Sequence, residues 1–290
     1  MSWLILGGSG QLGRSFQDFL YINDVPFLAP SSRNLDICSQ ESLSRYIINN
    51  QPTVIVNCAA WTNVDEAEKF EDEATQVNGT AVGNIACASK LIGASLVHIS
   101  TDYVFSGIGS EPWQEDGIVS PISAYGRSKA VGERLVSDIY PENSYIIRTA
   151  WLYSKYGKNF AKTMCEFAYK KKGSITVVTD QIGQPTFAGD LVRQIYLLVT
   201  MKATPGIYHG TNSGDTSWFG FAKKIFEILE IDTENLQEIT TREYGSMAQR
   251  PLYSVLSHKS WMAVGLSEMR NWQLGLTDSI KEIYSASSMR

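Results

Sequence analysis

The sequence has few of the residues on which most metal centres and many redox sites depend. It contains only three histidines and four cysteines in 290 residues, and these are scattered rather than set at the spacing of metal ligands or of a redox pair. Four cysteines permit disulfides, but a chain of this length can bury a large core and does not depend on them. We therefore expect neither a His/Cys metal site nor a structural need for cross-links.

The sequence also lacks an excess of positive charge and long apolar runs. The chain carries 25 basic and 30 acidic residues, a formal net charge of −5, which argues against binding to nucleic acid or to an anionic membrane. No apolar run approaches the roughly 18 residues of a membrane-spanning helix, and the N-terminus lacks the basic segment of a signal peptide. We expect a cytoplasmic protein, with a homodimer left open as its oligomeric state.

Short apolar segments alternate with longer amphipathic ones through the first half of the chain. The short segments are rich in Val, Ile and Leu and poor in charge, as strands covered on both faces should be: residues 3–7, 25–29, 53–57, 95–100 and 145–149. Helical patterns lie between them, including one over residues 71–91 and one over residues 126–140. The fold class expected is α/β, with a Rossmann-type, doubly wound parallel sheet.

A glycine-rich turn joins the first predicted strand to the first helix. The segment Gly7-Gly8-Ser9-Gly10-Gln11-Leu12-Gly13 fits a dinucleotide-binding fingerprint in two registers, with glycines at 8, 10 and 13 or at 7, 10 and 13. Glycines allow the tight turn and let backbone amides approach a diphosphate at the helix N-terminus. The place of the turn between strand and helix favours a nicotinamide cofactor over a purely structural turn.

The alternation of strands and helices loosens after residue 149, which predicts a second region. We assign residues 1–150 to an NAD(P)-binding Rossmann domain and residues 151–290 mainly to a smaller C-terminal α/β region that binds substrate. One helix of the second half, at about residues 189–203, is expected to pack back on the first domain.

The segment after the second predicted strand has no acidic residue for a ribose 2′-hydroxyl. It reads Ala29-Pro30-Ser31-Ser32-Arg33-Asn34, and Arg33 is suited to pair with a 2′-phosphate instead. We therefore predict NADPH, with NADH as the alternative cofactor. A solvated Arg33 without such a role is the structural alternative.

A tyrosine and a lysine share one face of a predicted helix. Tyr125 and Lys129 are four residues apart and so lie on the same side of the helix. An ammonium beside a phenol favours the phenolate and lowers the phenol's pKa, which suits Tyr125 to proton donation near neutral pH. Thr101 ends the fourth predicted strand, at the sheet edge where ligands bind. We expect these three side chains to converge as catalytic residues.

Together these motifs resemble the extended short-chain dehydrogenase/reductases. The resemblance is carried by the glycine turn, Asn57-Cys58-Ala59-Ala60, Ser100-Thr101-Asp102-Tyr103-Val104-Phe105 and the Tyr125/Lys129 pair. Four segments of the second half make the chain similar to the dTDP-4-dehydrorhamnose reductase family: residues 148–153, 159–164, 180–186 and 250–251. The likeness spans nearly the whole chain in the right order.

The resemblance implies contacts for further residues. It places Gly10, Gln11 and Leu12 against the cofactor diphosphate, which the glycine motif already assigns to the turn with Gly7 and Gly13. It also places Asp36 and Ile37 beside the adenine, and Ala60, Trp61 and Thr62 along the cofactor. The family often has histidine at the position of Trp61. The magnesium site of some relatives uses acidic residues, which Arg14 and Ser15 do not supply, so no metal ion is predicted.

The substrate is expected to meet Thr101, Asp102, Trp151 and Arg250. Trp151 matches a substrate-contacting tryptophan of the family. Asp102 is suited to orient the sugar, and Arg250 to meet a nucleotide diphosphate. Each has a structural alternative: a capping carboxylate for Asp102, core packing for Trp151 and a domain-joining ion pair for Arg250.

The implied reaction is hydride transfer from NADPH or NADH to the C4 ketone of dTDP-4-dehydro-6-deoxy-L-mannose, giving dTDP-L-rhamnose for cell-surface polysaccharide. Tyr125 would donate the proton, Lys129 would hold the nicotinamide ribose, and Thr101 would hydrogen-bond the carbonyl oxygen. Two alternatives stay open. One is a reductase of another nucleotide-linked 4-ketosugar, and the other is a non-catalytic NADP-binding subunit resembling the methionine adenosyltransferase beta subunit.

Overall fold

The computed structural model describes residues 1–170 and 173–288, in which strands and helices alternate along the chain. In chain order the strands are β1 (Trp3–Leu6), β2 (Phe27–Leu28), β3 (Val54–Asn57), β4 (Ser95–Thr101), β5 (Ser144–Thr149), β6 (Leu152–Tyr153), β7 (Ile175–Val178), β8 (Ile182–Gly183), β9 (Thr186–Phe187), β10 (Gly206–His209), β11 (Asn212–Ser213), β12 (Thr216–Ser217), β13 (Leu236–Ile239) and β14 (Met269–Asn271). The α-helices are α1 (Gln11–Ile22), α2 (Gln40–Asn50), α3 (Val64–Ala67), α4 (Glu71–Thr75), α5 (Ala81–Ile92), α6 (Ala124–Ile139), α7 (Phe160–Lys170), α8 (Ala188–Thr200), α9 (Trp218–Ile228), α10 (Thr241–Tyr244), α11 (Lys259–Ala263) and α12 (Trp272–Ser288).

A parallel sheet of six strands lies at the centre, in the order β10-β5-β4-β3-β1-β2. Every neighbouring pair in it is parallel, so the chain crosses from strand to strand through helices that cover both faces. The winding reverses between β1 and β3, which is where doubly wound sheets bind their ligands. The predicted Rossmann-type fold is confirmed.

Each face of the sheet has its own apolar core. Trp3, Phe16 and Trp261 are fully buried on the face covered by α1, α8 and α11. Leu4 and Ile55 lie on the opposite face, under α2, α5 and α6. Every residue of β1, β3 and β5 is buried, and each large apolar side chain removed from water contributes about 1.5–3 kcal/mol. This burial holds the carboxyl ends of the strands in register.

A smaller lobe forms around α7, α9, α12 and the parallel pair β7 and β13, with Phe221 and Trp272 in its core. Two elements of the second half return to the sheet: β10 pairs with β5, and α8 packs on α1. We therefore propose that the sheet domain consists of the predicted residues 1–150 together with α8 and β10. Among the described helices none is long and apolar enough to cross a membrane.

Candidate active site

The glycine turn between β1 and α1 packs directly against the loop that follows β3. Gly7 has a φ of +74°, and a Cβ there would lie 2.5 Å from the backbone nitrogen of Ala59. A Cβ on Gly13 would lie 2.4 Å from the carbonyl oxygen of Gly7. Only glycine permits such approaches, so the backbone follows the register with glycines at 7, 10 and 13.

The N-terminus of α1 is open to a ligand. Its N-cap, Gly10, has no side chain to cap the first amides, and the first turn contains no acidic residue. Gly10, Gln11 and Leu12 line a cleft of about 570 Å³. Uncapped amides and the positive end of the helix dipole at the edge of a cleft suit an anion, so this end fits the diphosphate of a dinucleotide.

A loop from the second half of the chain closes over the same end of α1. The Gln11 side chain donates to the Leu152 carbonyl at 3.2 Å and accepts from the side-chain amide of Asn159 at 3.3 Å. Lys158 and Asn159 line the cleft beside Gln11. Sequence reasoning missed both residues, because no local pattern shows that residues so distant in sequence meet α1.

Three residues after β3, numbers 60–62, were predicted to contact the cofactor, and two of them line the cleft. Ala60 and Thr62 line the cleft, whereas the Trp61 indole packs 6.4 Å from the Phe70 ring. The backbone N–H of Trp61 donates to the Asn78 side chain at 2.8 Å, and its carbonyl accepts from the same side chain at 3.0 Å.

Asn78, another residue missed by sequence reasoning, lies in the π-helical turn Gln76–Thr80 between α4 and α5. It is fully buried and also donates to the Ser128 hydroxyl at 2.9 Å. The turn therefore fixes the loop at Trp61 against α6, in keeping with the frequent placement of π turns at functional sites.

The residues predicted to meet the adenosine end of the cofactor lie beyond β2. Arg33 is exposed, the Asp36 carboxylate accepts from the Cys38 amide at 2.9 Å, and Ile37 packs on the core of the sheet. These three are not part of the wall of the cleft described above. Their cofactor contacts stay predictions.

Helix α6 brings Tyr125 and Lys129 to the cleft, where they meet Thr101 from the end of β4. Ser123 caps the start of the helix, and its hydroxyl accepts from the backbone N–H of Gly126 at 3.1 Å. A Cβ on Gly126 would lie 2.2 Å from the Tyr103 carbonyl oxygen. Glycine thus lets the first turn of α6 approach the strand end that carries Thr101, and the three predicted side chains converge.

Lys129 is a buried cation, with only 1% of its surface exposed. Its Nζ donates to the Ile99 carbonyl at 2.5 Å. Burial lowers the pKa of Lys129 to about 8, while the charge of Glu133 acts to raise it. Cys58 and His98 beside it are neutral at pH 7, because burial raises the pKa of the thiol and lowers that of the imidazole.

Tyr125 is a protonated phenol in this arrangement. Burial raises its pKa, and a hydrogen bond with Thr101 acts in the opposite direction. The net rise is opposite to the lowering by Lys129 that the sequence predicts, because burial is the largest influence on the pKa of the phenol. The phenol therefore keeps its proton at neutral pH and is available as a donor.

Asp102 is a buried carboxyl in the cleft, 2% exposed. The Thr101 hydroxyl donates to its Oδ1 at 2.9 Å. Burial raises the pKa of Asp102 to about 6, while hydrogen bonds from Ser254 and Thr101 act to lower it. Within the described part of the chain it does not join a group of three or more His, Cys, Asp or Glu residues that could hold a metal ion.

A pair of stacked tryptophans forms another wall of the cleft. The rings of Trp151 and Trp218 are 3.6 Å apart between centroids and inclined by 11°, and both line the cleft. Trp218 begins α9, where its indole N–H donates to the Gln181 side chain at 3.1 Å. The pair lines the cleft with aromatic surface, which is suited to contact a sugar or a base. Trp218 is a site residue that the sequence motifs did not predict.

Arg250 lies outside the lining of this cleft. Its guanidinium contacts the Asp65 carboxylate at 2.9 Å and faces the Tyr103 phenol. This is the ion pair predicted as the structural alternative for Arg250, and it joins the segment before Pro251 to α3. A contact between Arg250 and the substrate diphosphate stays a prediction.

Comparison with known proteins shows a consistent set of similar chains. A family model described as the RmlD substrate binding domain matches residues 1–285. A dTDP-4-keto-6-deoxy-D-glucose reductase from Streptomyces niveus is 39% identical over 277 residues, 96% of each chain. A dTDP-4-dehydrorhamnose reductase from Streptomyces griseus is 39% identical over 281 residues, 96% of this chain and 92% of that protein. The crystal structure of a dTDP-4-dehydrorhamnose reductase from Bacillus anthracis in complex with NADP superposes with a TM-score of 0.93 at 40% identity, over 97% of this chain and 99% of that one.

Proposed function

The chain belongs to the family of the RmlD substrate binding domain, and from this premise we propose that it is an NADPH-dependent reductase of a dTDP-linked 4-ketosugar. The substrate we propose is dTDP-4-dehydro-6-deoxy-L-mannose and the product dTDP-L-rhamnose. Relatives of this chain are named as reductases of dTDP-linked ketosugars, and the similar Bacillus anthracis structure contains NADP. These names support an enzyme rather than a non-catalytic subunit.

One observation carries the proposal. Thr101 from β4, Tyr125 and Lys129 from α6, and the stacked Trp151 and Trp218 line the same cleft as the open end of α1. Reduction of a nucleotide-linked ketone needs a proton donor, a hydrogen-bonding hydroxyl and a cation near the reacting carbon. It also needs an aromatic surface and a diphosphate site to hold the substrate and the cofactor.

The residues present fit a dinucleotide. Gly10 and Gln11 at the uncapped start of α1 would hold the diphosphate, and Ala60 and Thr62 would lie along the cofactor. Lys129 is suited to hold the nicotinamide ribose, since its ammonium already reaches the floor of the cleft. When bound, NADPH supplies the hydride that adds to C4 of the sugar.

Tyr125 donates its proton to the oxygen of the C4 ketone as negative charge develops there. Its raised pKa keeps the phenol protonated at neutral pH, so the proton is available for transfer. Thr101 fixes the phenol at the end of β4. Without substrate, the Thr101 hydroxyl donates to Oδ1 of Asp102 and the Tyr125 phenol is hydrogen-bonded with Thr101. Since the phenol has a single proton, the substrate ketone must replace Thr101 as its acceptor.

The sugar and the base are held by the remaining walls of the cleft. The stacked Trp151 and Trp218 offer an apolar face to one of the two rings of the substrate. The Asp102 carboxyl offers an acceptor to a sugar hydroxyl, and its burial makes that hydrogen bond stronger than one exposed to water. A homodimer and a cytoplasmic location stay predictions from the sequence.

The proposal is tested with purified protein, by following NADPH absorbance in the presence of each of two ketosugars. We expect rapid oxidation of NADPH with dTDP-4-dehydro-6-deoxy-L-mannose and formation of dTDP-L-rhamnose, identified by NMR. Turnover of dTDP-4-keto-6-deoxy-D-glucose alone would show that the proposed sugar is wrong. Absence of NADPH oxidation with both sugars would refute the reductase assignment, and repeating the assay with NADH measures the cofactor preference.

A further inference from the structure

A buried carboxylate lies one helical turn beyond Lys129 on α6. Glu133 is 5% exposed. Its carboxylate accepts from the Ser100 hydroxyl at 2.5 Å, from Nη2 of Arg148 at 2.8 Å and from Nε of Arg148 at 3.0 Å. Ser100 precedes Thr101 on β4, and Arg148 lies on the neighbouring β5. The cluster therefore joins α6, which carries Tyr125 and Lys129, to the strand end that carries Thr101.

Arg148 is itself immobilised in the cluster. It is 1% exposed, and its Nη1 donates to the Glu115 carbonyl at 3.0 Å. Its guanidinium lies 4.9 Å from the centre of the Phe105 ring, and His209, whose pKa is lowered by burial and by the Arg148 charge, is neutral beside it. Among the described residues the carboxylate paired with Arg148 is that of Glu133.

Of the described groups that face Lys129, Glu133 is the one that carries a negative charge at neutral pH. Cys58 after β3 and His98 on β4 are neutral, and Tyr125 on the same helix is protonated. Ser100 and Thr101 contribute hydroxyls. In the described chain, Glu133 is the carboxylate whose charge favours the protonated Lys129. One buried anion is thus shared between two buried cations, Lys129 and Arg148.

We propose that Glu133 is a positioning residue of the reductase site: it holds α6 on the ends of β4 and β5 and keeps Lys129 in its ammonium form. The proposal rests on the proposed function for its catalytic meaning. Glu133 itself lies outside the wall of the cleft, so it acts through Lys129 and not through contact with substrate or cofactor.

The sign of the effect follows from the charges. Glu133→Gln leaves two buried cations without their anion, so Lys129 loses its proton at a lower pH. Arg148→Met removes the cation that competes for Glu133, so Lys129 keeps its proton to a higher pH. A cluster with only a structural role would lower activity in both variants without displacing the titration of Lys129 in opposite directions.

The direct measurement is an NMR titration of cofactor-free protein labelled with ¹⁵N-lysine, in which Lys129→Arg identifies the Lys129 signal. We expect Glu133→Gln to move the titration of Lys129 down by about one pH unit or more, Arg148→Met to move it up, and Glu133→Asp to restore it in part. In the ketosugar assay, the alkaline limb of kcat/KM should move in the same directions. An unchanged Lys129 titration in folded Glu133→Gln, or the same direction in both variants, would overturn the proposal.

A buried arginine without its partner can prevent folding, so a second comparison is included. If Glu133→Gln does not fold, the double variant Glu133→Gln/Arg148→Met is compared with Arg148→Met alone. The titration of Lys129 must then lie at a lower pH in the double variant, and equal titrations refute the proposal. A ketosugar assay without turnover, together with the displaced NMR titrations, would refute the proposed function and leave the charge coupling intact.

Discussion

Gly13→Ala tests the diphosphate cradle at the start of α1. The added Cβ would lie 2.4 Å from the Gly7 carbonyl oxygen and 2.8 Å from the Gly8 Cα. Both contacts are with backbone, so the turn and the helix must separate by about 1 Å to restore ordinary packing, at a cost of about 1–3 kcal/mol in the free energy of unfolding. The displaced amides no longer meet the diphosphate together, and a lost hydrogen bond to a charged group costs about 1.5–3 kcal/mol, or about 10–100-fold in affinity. We therefore expect the Kd for NADPH to rise about 10–100-fold.

The assay is a titration of NADPH fluorescence with the purified variant, alongside urea unfolding. Gly109→Ala is the matched control, because a Cβ there meets only the Trp113 ring at 3.7 Å. Its NADPH affinity and its stability should equal those of the unchanged protein. If folded Gly13→Ala binds NADPH as tightly as Gly109→Ala does, the cradle does not receive the cofactor.

Four further changes test separate contacts. Tyr125→Phe should lower kcat by about 10²–10⁴ with unchanged NADPH affinity, and wild-type turnover would exclude Tyr125 as proton donor. Trp218→Ala removes half of the stacked pair, so the KM for the dTDP-ketosugar should rise about tenfold; an unchanged KM would exclude the platform. Arg33→Ala should lower the ratio of kcat/KM for NADPH over NADH, and an equal ratio would contradict the 2′-phosphate contact. Asp102 has a pKa raised by burial from 3.8 to about 6, so the folded protein binds this proton more tightly than the unfolded chain and loses stability as the pH rises through that window. Asp102→Asn should therefore be more stable than wild type at pH 8, by up to about 3 kcal/mol, with the advantage shrinking toward about pH 4; a pH-independent difference in urea unfolding would refute this.

The strands and the glycine turn could be predicted because the residues that determine each of them are neighbours in the sequence. β1, β3 and β5 are buried along their whole length, so their apolar runs identify them within about a residue. The turn at Gly7 requires a positive φ and a close backbone approach, which only glycine supplies. Tyr125 and Lys129 were predictable because helical spacing alone puts them on one face.

The rest of the site depends on contacts between distant residues. The partner of Arg250, Asp65, is 185 residues away, and the ring that stacks on Trp151 comes from the smaller lobe. The helix predicted over residues 71–91 is interrupted by the π-helical turn at Asn78, whose bonds go to Trp61 and Ser128. The direction of the Tyr125 pKa shift also depends on how deeply the phenol is buried, which the spacing of Tyr125 and Lys129 does not reveal.

The outermost strand beside β5 is β10, which the chain supplies only at residues 206–209. On the ribosome, β5 is therefore synthesised long before its outer neighbour, and its unpaired edge is a template for wrong pairing during that interval. A fragment ending near residue 150 would keep that edge permanently and would also lose α8 from one face of the sheet. The first half of the chain therefore does not contain the complete sheet with its covering helices. Expressing it alone requires that residues 188–209 are included with it.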